Sequence, residues 1–121
     1  MAKILLVDDD AAFRSMLRRT LQRLGHEVVE AEDGEEALRT LRKLAVDLVI
    51  TDIIMPNVEG IETIRALRRD YPGLKIIAMS GGGRVVRSDY LEIAEAFGAA
   101  CVLRKPFPNE QLCAAIDAAL A

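Results

Sequence analysis

With 121 residues, the chain is the size of one domain, able to bury roughly two-thirds of its unfolded surface without disulfide staples. Apolar residues make up 51% and charged residues 29%; no apolar run approaches the roughly 18 residues of a membrane span, and Ile4 to Val7, followed at once by three aspartates, makes no secretory signal, so a cytoplasmic protein that does not engage a membrane is expected. The 16 basic and 19 acidic residues leave a net charge of −3, with the basic ones spread in pairs (Arg18 and Arg19, Arg68 and Arg69, Arg104 and Lys105) rather than gathered in a patch, which argues against direct nucleic-acid binding.

Along the chain, short aliphatic runs alternate five times with helical patterns. Residues 3–7 predict a strand, and Asp8, Asp9 and Asp10 follow it. A helix is predicted over 11–24, with Phe13, Leu17, Leu21 and Leu24 on one stripe and Gly25 placed to end it. His26, the only histidine, reads as a surface residue, and one imidazole makes no metal cluster. Next come a strand over 27–31, a helix over 34–43 and a strand over 48–51 that runs into Asp52 before the chain meets Pro56. A helix over 61–69 and a strand over 75–79 lead to Ser80. Three glycines, Gly81, Gly82 and Gly83, open a loop expected to be mobile; they match neither GxGxxG nor the P-loop spacing, which argues against nucleotide binding. A helix over 90–97, ended by Gly98, a strand over 101–103 and a helix over 110–120 complete the series. Cys101 and Cys113 form no CxxC pair and read as reduced core thiols.

Strands alternating with helices imply right-handed crossovers and an α/β fold, a parallel sheet covered by helices on both faces. No linker, repeat or low-complexity tract interrupts it, so residues 1–121 read as one domain without an attached effector. In such a sheet, ligands bind beyond the carboxyl ends of the strands. Asp8 and Asp9 follow the first strand, Asp52 the third, Ser80 the fourth and Lys105 the fifth. If the first and third strands are neighbours, three carboxylates crowd one pocket and call for a cation to offset their repulsion. An all-oxygen donor set favours a hard ion, Mg²⁺ (or Mn²⁺) rather than caged Ca²⁺. The set as a whole suggests phosphoryl transfer, with Asp52 as nucleophile, a hydroxyl and a lysine for phosphoryl oxygens, and a metal to neutralise charge. Taken singly, each residue has a plainer reading: Asp9 or Asp10 as helix cap, Ser80 as a turn hydroxyl, Lys105 as a surface charge.

At these residues the stretches ILLVDDD, DLVITDIIMPNVEG, MSGG and RKPF together resemble the receiver domain of two-component response regulators, including stand-alone chemotaxis-type regulators, and the resemblance covers essentially the whole chain. It implies a doubly wound, flavodoxin-like sheet of five parallel strands in the order 2-1-3-4-5 with five helices. It further implies that Asp52 accepts a phosphoryl group from a histidine kinase or histidine phosphotransfer protein. Asp9 would bind Mg²⁺ directly, Asp8 mostly through water, Asp52 as a further ligand, and the Ile54 backbone carbonyl would complete the set. Ser80 and Lys105 would be the switch hydroxyl and lysine, with the Lys105–Pro106 peptide often cis. The role implied is signalling: the domain assists its own phosphorylation and dephosphorylation and docks a downstream protein through its fourth helix, fifth strand and fifth helix. Two positions depart from the family pattern. Val102 stands where receivers often carry a rotating Tyr or Phe, weakening the aromatic switch, and Gly81 stands where alanine is common, before a longer loop.

Two rival readings use the same residues. The D-x-D of Asp8 and Asp10 is similar to that of haloacid-dehalogenase-like phosphatases, with Asp8 as nucleophile, although Ala11 and Ala12 replace the usual Gly-Thr. The domain could also dock partners through its fold without being phosphorylated.

Overall fold

The structure, a computed structural model, describes residues 1–53, 59–80 and 98–121. Ile54, the loop opened by Gly81, Gly82 and Gly83, and the helix predicted over 90–97 lie outside the described residues. Within them run β1 (Lys3–Val7), α1 (Ala11–Arg23), β2 (Glu27–Ala31), α2 (Gly34–Lys43), β3 (Leu48–Asp52), α3 (Glu59–Asp70), β4 (Lys75–Ser80), β5 (Cys101–Arg104) and a C-terminal helix, Asn109–Leu120. The strands form one parallel sheet in the order β2-β1-β3-β4-β5, as expected. Strand order reverses between β1 and β3, which are paired directly, Ile4 opposite Leu48 and Val7 opposite Thr51.

Side chains alternate along each strand, and this sorts the core into two halves. Ile4, Leu6, Leu48, Ile50, Ile77, Met79 and Leu103 point to one face and are covered by Leu17 and Leu21 of α1 and by Leu112 and Ile116 of the C-terminal helix. Leu5, Val7, Val49, Ile76 and Ala78 point to the other, under Ala37 and Leu41 of α2 and Ile64 and Leu67 of α3. The central strand β3 is buried along its whole length, whereas the edge strands β2 and β5 are only partly so. A strand enclosed on both faces has no need of polar alternation, which is why Leu48, Val49 and Ile50 follow one another without a polar residue between them.

Helix ends follow from local chemistry. Asp10, not Asp9, is the N-cap of α1: its side chain accepts a hydrogen bond from the Phe13 N–H at 3.1 Å. Gly25, at φ +96°, turns the chain out of α1, with the Gly25 N–H donating to Gln22 and the His26 N–H to Leu21; that paired closure needs a left-handed residue, which glycine supplies without strain. His26 is a correction to the surface reading. It is half-buried, and its Nδ1 accepts from the Ala2 N–H at 3.1 Å, tying the N-terminus to the start of β2. Cys101 and Cys113 are both free, and both are half-buried rather than enclosed in the core.

At the start of α2, Asp33 caps by accepting from the Glu36 N–H at 2.8 Å, and Glu36 reaches back to the Glu32 N–H. Here α2 meets α3 closely. A Cβ added at Gly34 would clash with Thr63 Oγ1 and stand 3.1 Å from Thr63 Cβ, and Thr63 is itself buried, so turning its side chain leaves the Cβ contact in place. Gly34→Ala is therefore expected to lower the unfolding free energy by about 1–3 kcal/mol, the usual cost of overpacking. Gly73→Ala, where the new Cβ meets nothing within 4 Å, is the control in the same urea titration and is expected to stay within about 0.5 kcal/mol of wild type.

Candidate functional site

The alternation that builds the core also aims the charges. Ile4, Leu6 and then Asp8 follow one parity along β1 and its extension; Leu48, Ile50 and Asp52 follow it along β3; Cys101, Leu103 and Lys105 follow it along β5 and beyond. Ladder hydrogen bonds continue past the strand ends, Asp8 N–H to Ala31 at 3.1 Å and Lys105 N–H to Ser80 at 2.8 Å. The period of two therefore carries all three charged groups to the α1 side of the sheet, at its carboxyl edge. This is the crevice at the switch point of strand order, where open parallel sheets bind ligands.

There they meet. Lys105 Nζ donates to Asp8 Oδ2 at 2.7 Å and to Asp52 Oδ2 at 2.9 Å, bridging residues 97 and 53 positions away in sequence. Asp8 is fully buried and Asp52 nearly so. Burial pulls the Lys105 amine toward neutrality, but its hydrogen bond to Asp8 and the charge of Asp52 outweigh that, and its pKa is raised above the ordinary 10.5. The ammonium is thus held charged. Asp9 lies at the exposed rim, and Asp8, Asp9 and Asp52 each offer a carboxylate oxygen within 4.8 Å of the others. Three hard oxygen donors, two enclosed and one open to water, suit a hard cation with waters completing its shell. Asp10 is taken by the cap, so the D-x-D does not act as a pair in this pocket.

Ser80, the last residue of β4, is fully buried, and its Oγ has no hydrogen-bond partner among the described residues. An unpartnered buried hydroxyl has a cost, and a ligand oxygen would offset it. Val102 pairs with Ala78 and packs, half-buried, against the core on the α2–α3 face; it presents no ring there. The Lys105–Pro106 peptide is cis.

Phe13 and Phe107 are site neighbours that sequence reasoning did not single out as such. Lys105 Nζ lies 4.0 Å from the centroid of the Phe13 ring, and Phe107 meets that ring edge-on at 6.2 Å and 82°. The ammonium therefore has a carboxylate pair on one side and an aromatic face on another. Phe13 reads from sequence as one more member of the α1 stripe; the usable signal was its place on the first turn of the helix that follows Asp8. A double-mutant cycle of Phe13→Leu with Lys105→Met, read by chemical unfolding, is expected to give a coupling of about 1 kcal/mol for the ring and the cation. Coupling indistinguishable from zero would mean that the ring serves only as core.

Comparison with known proteins bears on the fold and the family. The family model of the response regulator receiver domain matches residues 4–117. The chain is 40% identical over 120 residues to the transcriptional regulatory protein CpxR of Escherichia coli (strain K12), covering 99% of this chain and 50% of CpxR. It is 42% identical over 113 residues to the response regulator protein FleR of Pseudomonas aeruginosa, covering 92% of this chain and 23% of FleR. It thus spans half the length or less of these two relatives. Among solved structures, chemotaxis protein CheY4 of Vibrio cholerae matches with a TM-score of 0.88 at 35% identity, over 99% of each chain. With a matching model across nearly its full length and the same fold at that identity, the chain belongs to the response regulator receiver domain family of two-component signalling.

Proposed function

We propose that Asp52 is the phosphoacceptor, taking a phosphoryl group from a histidine kinase or histidine phosphotransfer protein. The observation that carries this reading is the Lys105 bridge: one half-buried ammonium bonded to both Asp8 and Asp52, with Asp9 at the open rim. In the reaction, a carboxylate oxygen of Asp52 forms a bond to phosphorus, and the bond from phosphorus to the donor nitrogen or oxygen breaks, its electron pair leaving with the donor. The product is an acyl phosphate. Lys105 pairs with the charge that arrives on the phosphoryl oxygens, and the Ser80 hydroxyl donates to one of them.

Asp8, Asp9 and Asp52 would hold Mg²⁺ together with the Ile54 carbonyl, Asp8 mostly through water, and the ion supplies positive charge against the incoming phosphoryl group. The donor set fits such an ion, since it contains carboxylate oxygens and neither imidazole nor thiolate. Hydrolysis reverses the gain: water attacks phosphorus and Asp52 leaves as carboxylate.

The domain signals rather than processes a substrate. Phosphorylation favours one of two pre-existing conformations, and a downstream protein reads it through the segment expected as the fourth helix, β5 and the C-terminal helix. Val102 in place of an aromatic residue leaves Ser80 and Lys105 as the groups that couple the phosphoryl group to that surface. No helix among the described residues is long and apolar enough to cross a membrane, and we place the domain in the cytoplasm. Borohydride reduction after treatment with a small phosphodonor tests the acceptor directly, because it converts an aspartyl phosphate to homoserine. Peptide mapping is expected to find homoserine at position 52; homoserine at position 8 would instead support the phosphatase-like reading.

A further inference from the structure

The start of α1 carries a charge of the wrong sign. Helix N-termini favour acidic residues, yet the first turn of α1 has none and Arg14 follows at its fourth position. Its guanidinium is directed inward, with the side chain only 16% exposed. Nη1 donates to the Asp8 backbone carbonyl at 2.6 Å, and Nε donates to Glu30 Oε1 at 2.9 Å. Glu30 in turn stands 3.4 Å from Arg18 Nε through its other oxygen. A charged chain therefore runs from the end of β1, under α1, to the edge strand β2.

The carbonyl that Arg14 holds lies in the same planar peptide unit as the Asp9 N–H. Fixing that plane fixes where the Asp9 Cα stands relative to Asp8 and Asp52, and so limits the positions its carboxylate can reach. The Asp8 carboxylate is held independently, its Oδ1 accepting from the Asp10 N–H at 2.9 Å and its Oδ2 from Lys105, so Arg14 acts on the one member of the acidic group at the exposed rim. An unpaired guanidinium here would repel a divalent cation. Glu30, at contact distance though shared with Arg18, offsets part of that charge, so the arginine orients the turn with less opposition to the cation.

We infer that Arg14 and Glu30 are positioning residues for the cation site, Arg14 by fixing the Asp8–Asp9 peptide and Glu30 by offsetting its charge. This rests on the cation reading given under Proposed function. The test is calorimetric titration with Mg²⁺ of wild type, Arg14→Lys, Glu30→Gln and Arg39→Gln, the last altering only an exposed surface pair with Glu35. Arg14→Lys keeps the charge but loses the two-pronged donor, and about tenfold weaker binding is expected, the lower end of what second partners of metal ligands contribute. Glu30→Gln is expected to weaken binding too, by a factor that shrinks as salt rises because it acts through charge. Arg39→Gln should match wild type. Labelling by acetyl phosphate at saturating Mg²⁺ should return Arg14→Lys toward the wild-type rate, placing the defect in the cation requirement. Folded Arg14→Lys and Glu30→Gln proteins with wild-type affinity would overturn the inference and leave both side chains as structural ties. If Arg14→Lys does not fold, Glu30→Gln and its salt dependence decide. A wild-type protein that binds no Mg²⁺ would overturn the cation reading itself, a distinct result.

Discussion

Lys105→Met is expected to destabilise the cation-free protein by about 2–3 kcal/mol. Removing one partner of a buried ion pair leaves the other charge without compensation, which typically costs about 3–5 kcal/mol; the lower figure is taken here because the pocket opens to water at Asp9. Two carboxylates, Asp8 and Asp52, lose their shared ammonium at once, and the Phe13 ring loses its cation. Millimolar Mg²⁺ is expected to stabilise this variant more than wild type, because the ion restores positive charge where the variant lacks it. The pH dependence has a defined sign. The folded protein holds the Lys105 amine above its ordinary 10.5, so the stabilisation is fully present below that value and is lost as pH rises through the higher folded one. Wild type and variant should therefore differ at neutral pH and converge only under strongly alkaline conditions. With no tryptophan in the chain, urea unfolding followed by circular dichroism gives the comparison. Equal stability at neutral pH without cation would mean that the bridge contributes nothing.

Asp9→Asn is expected to separate cation binding from folding. Asp9 is exposed and the α1 cap belongs to Asp10, so the variant should unfold within about 0.5 kcal/mol of wild type, as surface substitutions do. Its loss falls on the cation. Withdrawing one charged oxygen from a three-carboxylate set is expected to weaken Mg²⁺ binding by on the order of tenfold to a hundredfold and to raise the Mg²⁺ needed for phosphoryl labelling in proportion. Asp8→Asn should weaken binding as well, but with a stability change, since its carboxylate is also bonded to Lys105 and to the Asp10 N–H. Unchanged Mg²⁺ affinity in Asp9→Asn would remove the rim carboxylate from the ligand set.

The five strands were legible because each is a short aliphatic run bounded by polar residues, and four residues of β3 suffice when both faces are covered. Boundaries moved by one or two positions where sequence pattern gives way to hydrogen bonding: β3 takes in Asp52 and β4 takes in Ser80 because their ladders continue, and α3 begins at Glu59 rather than 61. The gathering of Asp8, Asp9, Asp52 and Lys105 at one edge was also legible, since it needs only parallel strands and the adjacency of β1 and β3. Contacts that depend on how a helix seats on the sheet were not. Phe13 looks like core until Lys105 is placed over it, and Arg14, which the sequence did not single out, gains a role only once the Asp8 carbonyl is found beside it. The choice between Asp9 and Asp10 as cap turns on backbone geometry at a single residue, and composition carries no trace of it. His26 shows the same limit, because its partner is a backbone N–H 24 positions away in sequence.

The measurement that bears most directly on Asp52 as phosphoacceptor is intact mass after exposure to acetyl phosphate, with and without Mg²⁺, on wild type and on Asp52→Asn. A single phosphoryl adduct on the wild-type chain that requires Mg²⁺ and is absent from Asp52→Asn is the expected result. An adduct that persists in Asp52→Asn, or a folded wild-type chain that takes up no phosphoryl group even when quenched at the shortest times, would contradict it.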